Sequence, residues 1–183
     1  MHCSRRRADP LALLLAVLAL AGCSVAAQQP GTLAIRAAQV HAEATGAVLE
    51  LALDARLSGP MQDALEHGIP ITLRIDVRAG RWPHAQSASR RIELRYFPLS
   101  QRYQLRREGS DEVRSFAAAA YLLAALGALR IELPAALAQA GVPLAVDVGV
   151  DPAALPGALR LPALFEPAWR LAANTSTTTA AAP

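Results

Sequence analysis

The sequence predicts an α+β fold: a mainly antiparallel β-sheet or sandwich of about six to eight strands, with two or three short helices. Three observations carry that expectation. Apolar and polar residues alternate in segment after segment, which is the period of a half-buried strand. Between these segments, Ser, Pro and Gly stand where short helices start and stop. The chain has 183 residues, enough for one core with appendages, since a domain of this size buries about two-thirds of its unfolded surface.

The first element is a leader. Residues 1–22 carry a basic head, "MHCSRRR", an apolar body, Leu11 to Leu20, and small residues before Cys23, the three-part pattern of a secretory signal. The body is about half the ~20 apolar residues a spanning helix needs. Leu20-Ala21-Gly22-Cys23 resembles at all four positions the lipobox of bacterial lipoproteins, in which the cysteine thiol is diacylated and the chain is cut before it. The alternative is an ordinary signal cut within Ser24 to Gln28. The triplet Arg5-Arg6-Arg7 is followed by Ala-Asp-Pro, which lacks the apolar continuation of twin-arginine export. The lipobox resemblance implies a membrane partner reached through the lipid on Cys23, on the periplasmic side. Ser24 at the next position implies the outer membrane rather than the inner. Cys3 leaves with the leader, so acylation consumes the mature chain's one thiol and no disulfide or cysteine metal site remains.

Charge reads differently once the leader is gone. All 18 basic residues are arginine, against 15 acids, and the absence of lysine reflects a coding bias spread over the whole chain. Removing residues 1–22 takes away Arg5, Arg6, Arg7 and Asp9, so the mature chain is close to neutral. A near-neutral exported protein is a poor nucleic-acid binder.

The domain is expected over residues 32–171, after Cys23 and a short linker (23–31). In "TLAIRAAQV" Leu33, Ile35 and Ala37 form one face; in "VLELALDARL" Leu49, Leu51, Leu53, Ala55 and Leu57 oppose Glu50, Asp54 and Arg56. Ser58 as cap, Pro60 in the first turn and Gly68 as stop predict a two-turn helix. "IPITLRIDVRAG" places Ile71, Leu73, Ile75 and Val77 inward. "SRRIELRYFPLSQRYQLRRE" reads as a hairpin turning at Pro98 to Gln101, with Ile92, Leu94, Tyr96, Tyr103 and Leu105 inward.

Phe116 to Leu129 is a nearly unbroken apolar run, expected to be a helix capped by Ser115 and stopped at Gly127. A further short helix is expected from Pro134 to Gly141. "VPLAVDVGV" restores alternation, with Leu144, Val146, Val148 and Val150 inward, and "PAWRLA" reads as a last short strand in which Trp169 closes the core. The tail, residues 172–183, is low in complexity and is expected to be disordered.

Two stretches, "RIELRYFPLSQRYQL" and "FEPAWRL", together with the Phe-started segment ending "ALG", resemble the bacterial envelope family DUF4390, a domain of unknown function whose members are sometimes labelled proline-rich signal peptide proteins. The resemblance spans Leu33 to Leu171. It implies an exported protein with no assigned activity, and it suggests as a second role an accessory to a two-component sensor kinase. It supplies no catalytic residues.

The residues themselves point away from catalysis. The chain lacks a Gly-x-Ser-x-Gly elbow, a dinucleotide glycine fingerprint, a phosphate-binding P-loop and a His-Glu-x-x-His helix, so neither an enzyme nor a cofactor is expected. His41, His67 and His84 are too scattered in sequence to predict a metal site. Asp54, Asp76 and Asp147 fall on polar strand faces, where pairing with Arg56, Arg74 and Arg78 is the expected use.

One local feature stands above this background. From Arg78 to Arg107 there are eight arginines and one acid, Glu93. Arg74, Arg78, Arg91, Arg95, Arg102 and Arg106 share one face if their three strands are neighbours. Such a face suits an anionic envelope ligand or an acidic protein partner, because guanidinium groups pair bidentately with phosphates and carboxylates. The plainer reading is a solvated face neutralised by Glu50, Asp54 or Glu108. Trp82, between Arg81 and Pro83 in a loop, is a candidate contact residue.

Overall fold

The computed structural model describes residues 30–43, 46–80, 85–137 and 141–180. Nine strands form one sheet curled into a half-barrel, more strands than the alternation alone predicted. They are β1 (Thr32–Glu43), β2 (Gly46–Arg56), β3 (Ile71–Ala79), β4 (Gln86–Phe97), β5 (Arg102–Arg107), β6 (Val113–Phe116), β7 (Leu129–Leu133), β8 (Pro143–Val150) and β9 (Ala172–Ala180). Their order across the sheet is β6-β5-β4-β3-β8-β9-β1-β2-β7. Every pairing is antiparallel except β1 with β9. Three short helices accompany them: α1 (Gly59–Glu66), α2 (Ala119–Ala124) and α3 (Gly157–Phe165).

The alternation sets which face is buried. Ile71, Leu73, Ile75 and Val77 of β3, Ile92 and Leu94 of β4, Leu105 of β5 and Leu144, Val146 and Val148 of β8 all lie in one core with Leu49, Leu51 and Leu53 of β2. Helix α1 closes this face. Ser58 caps it, its Oγ accepting from the Met61 N–H at 3.4 Å, and Pro60 occupies the first turn. Met61 and Leu65 are fully buried against β4 and the Pro167–Trp169 turn. Gly68 ends the segment at φ +81°, in the left-handed region that glycine adopts without strain. Trp169 is buried and does close the core, from a 3-10 turn rather than a strand.

Further expectations are corrected. In β1 the register slips between Ile35 and Ala37, so Arg36 is the extra residue of a bulge. The bulge turns Ala37 outward, and the inward set becomes Leu33, Ile35, Ala38 and Val40. The long helix from Phe116 to Leu129 is instead the end of β6, the short helix α2 with a 3-10 extension to Gly127, and the start of β7. Ala118, not Ser115, stands at its N-terminus. Composition misled there because alanine favours helix while the chain must cross from one sheet edge to the other. In the expected helix from Pro134, the described part is a 3-10 turn, Ala135–Leu137.

The largest correction is the tail. Ala172–Ala180 is not disordered: it is β9, and it sits between β8 and β1 near the middle of the sheet. Ala172 to Thr178 pair with Gly149 to Pro143 of β8. Four β-branched threonines suit a pleated strand, and main-chain bonds to β8 hold it without large apolar side chains. Among the described residues no helix is long and apolar enough to cross a membrane.

Candidate functional site

The six arginines singled out above occupy one outward face. Strands β3, β4 and β5 are neighbours, with Arg74 opposite Arg91, Glu93 opposite Arg106, Arg95 opposite Gln104 and Phe97 opposite Arg102. Their partners divide them into two groups. Arg74 donates to Asp76 at 2.9 Å, and Arg78 pairs with Asp147 on β8. Arg91 donates to Asp151 at 3.0 Å and to Glu108 at 3.2 Å. Asp151 is 3% exposed, and its hydrogen bond, with the charge of Glu108, holds the Arg91 guanidinium above its ordinary pKa. Each of these three arginines is engaged by a carboxylate.

Arg95, Arg102 and Arg106 are different: among the described residues no carboxylate forms an ion pair with them. Arg95 lies over the Phe97 ring, its Cζ 4.9 Å from the centroid. Arg102 is held by Ser115 of β6, through Nε to Oγ at 3.1 Å and through a second nitrogen to the main-chain oxygen at 3.4 Å. A stacked guanidinium and a tethered one keep free N–H donors in fixed directions, which lowers the ordering cost of binding an anion.

Of the acids expected to neutralise this face, only Glu108 reaches it. Asp54 pairs with Arg36 at the bulge, not with Arg56, and Glu50 meets His41 and Arg130. Asp76 and Asp147 stand opposite one another on β3 and β8, each engaged by an arginine. A cavity of about 690 Å³ opens beside Arg91, Arg106 and Arg107 but also beside Glu93, Glu108 and Asp111. Three arginines and three acids balance in its lining. Among the described residues no three His, Cys, Asp or Glu side chains converge as metal ligands. Cys23, Trp82 and His84 lie outside the described residues.

Sequence reasoning missed two supports of the site, Phe97 and Ser115. Arg95 and Phe97 are two apart on one strand and so share a face, a signal that was readable. Ser115 was assigned to a helix cap, which hid its place on β6.

The family described as "Domain of unknown function (DUF4390)" matches residues 31–179, a span that takes in β9. No curated protein and no solved structure matches the chain.

Proposed function

Because the chain belongs to the DUF4390 family, whose description assigns no activity, we propose a function from its surface: a lipid-anchored cell-envelope protein whose β4–β5 arginine face binds an anionic ligand without catalysing a reaction. The observation that carries this reading is the group of three cations, Arg95, Arg102 and Arg106, without carboxylate partners among the described residues, two of them already oriented by Phe97 and Ser115. A solvated decorative face would be expected to spread its ion pairs over all six arginines; here they engage Arg74, Arg78 and Arg91, and Glu93, opposite Arg106, forms no ion pair with it among the described residues. The lipobox at Cys23 puts the domain beside phosphate-bearing lipids and glycolipids, the anions most abundant at an envelope surface.

Binding to immobilised lipopolysaccharide tests the reading, with the double variant Arg95→Glu/Arg102→Glu compared with Arg74→Glu. The proposal expects the double variant to lose binding and Arg74→Glu to lose much less. Unchanged binding in the double variant would remove the arginine face from the function. Recovery of a sensor kinase from envelope extracts, dependent on the same two arginines, would instead assign the face to an accessory role in signalling.

A further inference from the structure

The registers place several apolar and basic groups at one end of the sheet. Strand β3 begins at Ile71 opposite Leu94 near the end of β4, β8 ends at Val150 opposite Leu73, and β9 begins at Ala172 opposite Gly149. Strand β1 runs parallel to β9, so its start lies at this end too. Gly31 confirms it: a Cβ there would come within 2.7 Å of Leu171 and 2.9 Å of the Ser58 nitrogen. The same end carries the Pro98–Gln101 turn and the segment from Asp151 to Leu171 with helix α3. The opposite end holds Ala79 and Gln86.

This end is unusually apolar on its outside. Among the described residues six large hydrophobic side chains are exposed, and four of them, Leu99, Leu161, Leu164 and Phe165, lie here. Leu161, Leu164 and Phe165 follow the i, i+3, i+4 spacing of one helix face, and they are 66%, 53% and 72% exposed. The other face of α3 buries Ala163 in the core. Arginines flank the helix at both ends. Arg160 Nε donates to the Leu155 carbonyl at 2.8 Å, and Arg170 donates to the carbonyls of Leu164 and Phe165 at 3.2 and 3.3 Å. One acid, Glu166, sits beside them. Arg170 and Arg74 line, together with Asp76 and Asp147, a groove of about 370 Å³ that runs from Ala163 of the helix to the arginine face.

We infer that α3 and the Leu99 turn form a membrane-contact surface, with Leu161, Leu164 and Phe165 seated among the headgroups of an anionic bilayer. Apolar side chains on one face with arginines at the margin are the pattern of an interfacial helix. The anchor supplies the geometry: Ser24 to Gly31 extend at most about 28 Å, so acylation at Cys23 would bring this end of the sheet, and not the other, to the lipid. The inference takes its orientation from the anchored reading but is tested without the anchor.

A chain beginning at Ser24 keeps every described element and has no cysteine. Single substitutions Leu164→Cys and Gln86→Cys, labelled with a solvatochromic dye, are mixed with vesicles of phosphatidylethanolamine and phosphatidylglycerol. The expected result is a blue shift at position 164 and none at position 86. Vesicle binding should fall at least about tenfold in Leu161→Asn/Leu164→Asn/Phe165→Asn, given the apolar area removed, with an unchanged melting temperature. Equal spectra at the two positions, or undiminished binding by the triple variant, would overturn the inference. So would a concentration-dependent blue shift at position 164 without vesicles, which would show a second copy of the chain covering α3. Failure of Cys23 to carry lipid in cells would remove the anchor and leave the vesicle result standing.

Discussion

The buried carboxylate of Asp151 accepts a hydrogen bond from Arg91 at 3.0 Å while its second oxygen accepts the Ala153 N–H at 3.1 Å. Its own N–H donates to the Thr72 carbonyl at 2.8 Å. One residue therefore ties the outward face of β4, the edge of β3 and the turn leading to α3. Arg91, one of the six arginines of the face, is thereby tied into the fold through a buried carboxylate.

Asp151→Ala should destabilise the fold. Loss of the cap costs about 1 kcal/mol, or about 2–4 °C in a chain of this size. Arg91→Ala leaves the same carboxylate buried with its ion pair broken, and it should destabilise more than Arg95→Ala, an exposed substitution expected within about 0.5 kcal/mol of the parent. Thermal unfolding of the three variants checks the order. Equal melting temperatures for Arg91→Ala and Arg95→Ala would mean that Asp151 does not depend on its arginine.

Tyr103 links stability to alkaline pH. Its ring lies 4.6 Å from that of Tyr96, centroid to centroid. Burial first, then the charges of Glu66 and Tyr96, raise its phenol above the ordinary 10.0. The folded state therefore holds this proton more tightly than the unfolded one. The contribution is whole below pH about 10 and is lost as pH rises through the raised value. Tyr103→Phe should flatten the fall of stability above pH about 10, measured by urea unfolding at a series of alkaline pH values; a parallel fall in both proteins would place the effect elsewhere.

Strand β9 yields a pair of opposite expectations. Truncation after Leu171 removes the strand between β8 and β1, and the shortened chain should not give a cooperative unfolding transition. Thr179→Val should do the reverse. Thr179 is 4% exposed and its Oγ1 has no hydrogen-bond partner among the described residues, so an isosteric methyl removes an unpaid desolvation cost of about 1 kcal/mol or more. A melting temperature lowered by Thr179→Val would show that the hydroxyl is satisfied in solution.

Period was the legible part of this sequence. Ile71 to Val77, Ile92 to Leu105 and Leu144 to Val148 declare their inward faces by alternation alone, and Ser58, Pro60 and Gly68 declare α1 by chemistry that acts within a few residues. Composition was the misleading part. "AANTSTTTAAAP" lacks large apolar residues, yet β9 is fixed by the two strands beside it, and that is a long-range fact. "AAAAYLLAALGALR" carries helix propensity, yet the chain there must pass from β6 at one edge of the sheet to β7 at the other. The arginine face was legible as a face because strand neighbours along the chain are neighbours in the sheet. Which of its arginines are occupied was not, since Asp147 and Asp151 come from 69 and 60 residues away.

The anchor is the expectation on which location depends, and the geometry of the described domain sharpens it. Gly31 is packed under Leu171 and against the start of α1, so the chain enters the domain at a fixed point, at the end of the sheet that carries α3. If Cys23 is acylated, that point is held within about 28 Å of the lipid, and Arg74 and Arg170 lie on the approach. Cells grown with radioactive palmitate should label the wild-type protein and not Cys23→Ala, and the variant should be held at the membrane less firmly, because acyl chains contribute about 0.8 kcal/mol per buried methylene to membrane attachment. Wild-type protein without label would make Leu20 to Cys23 part of an ordinary leader, and membrane contact would then rest on α3 and the arginines alone.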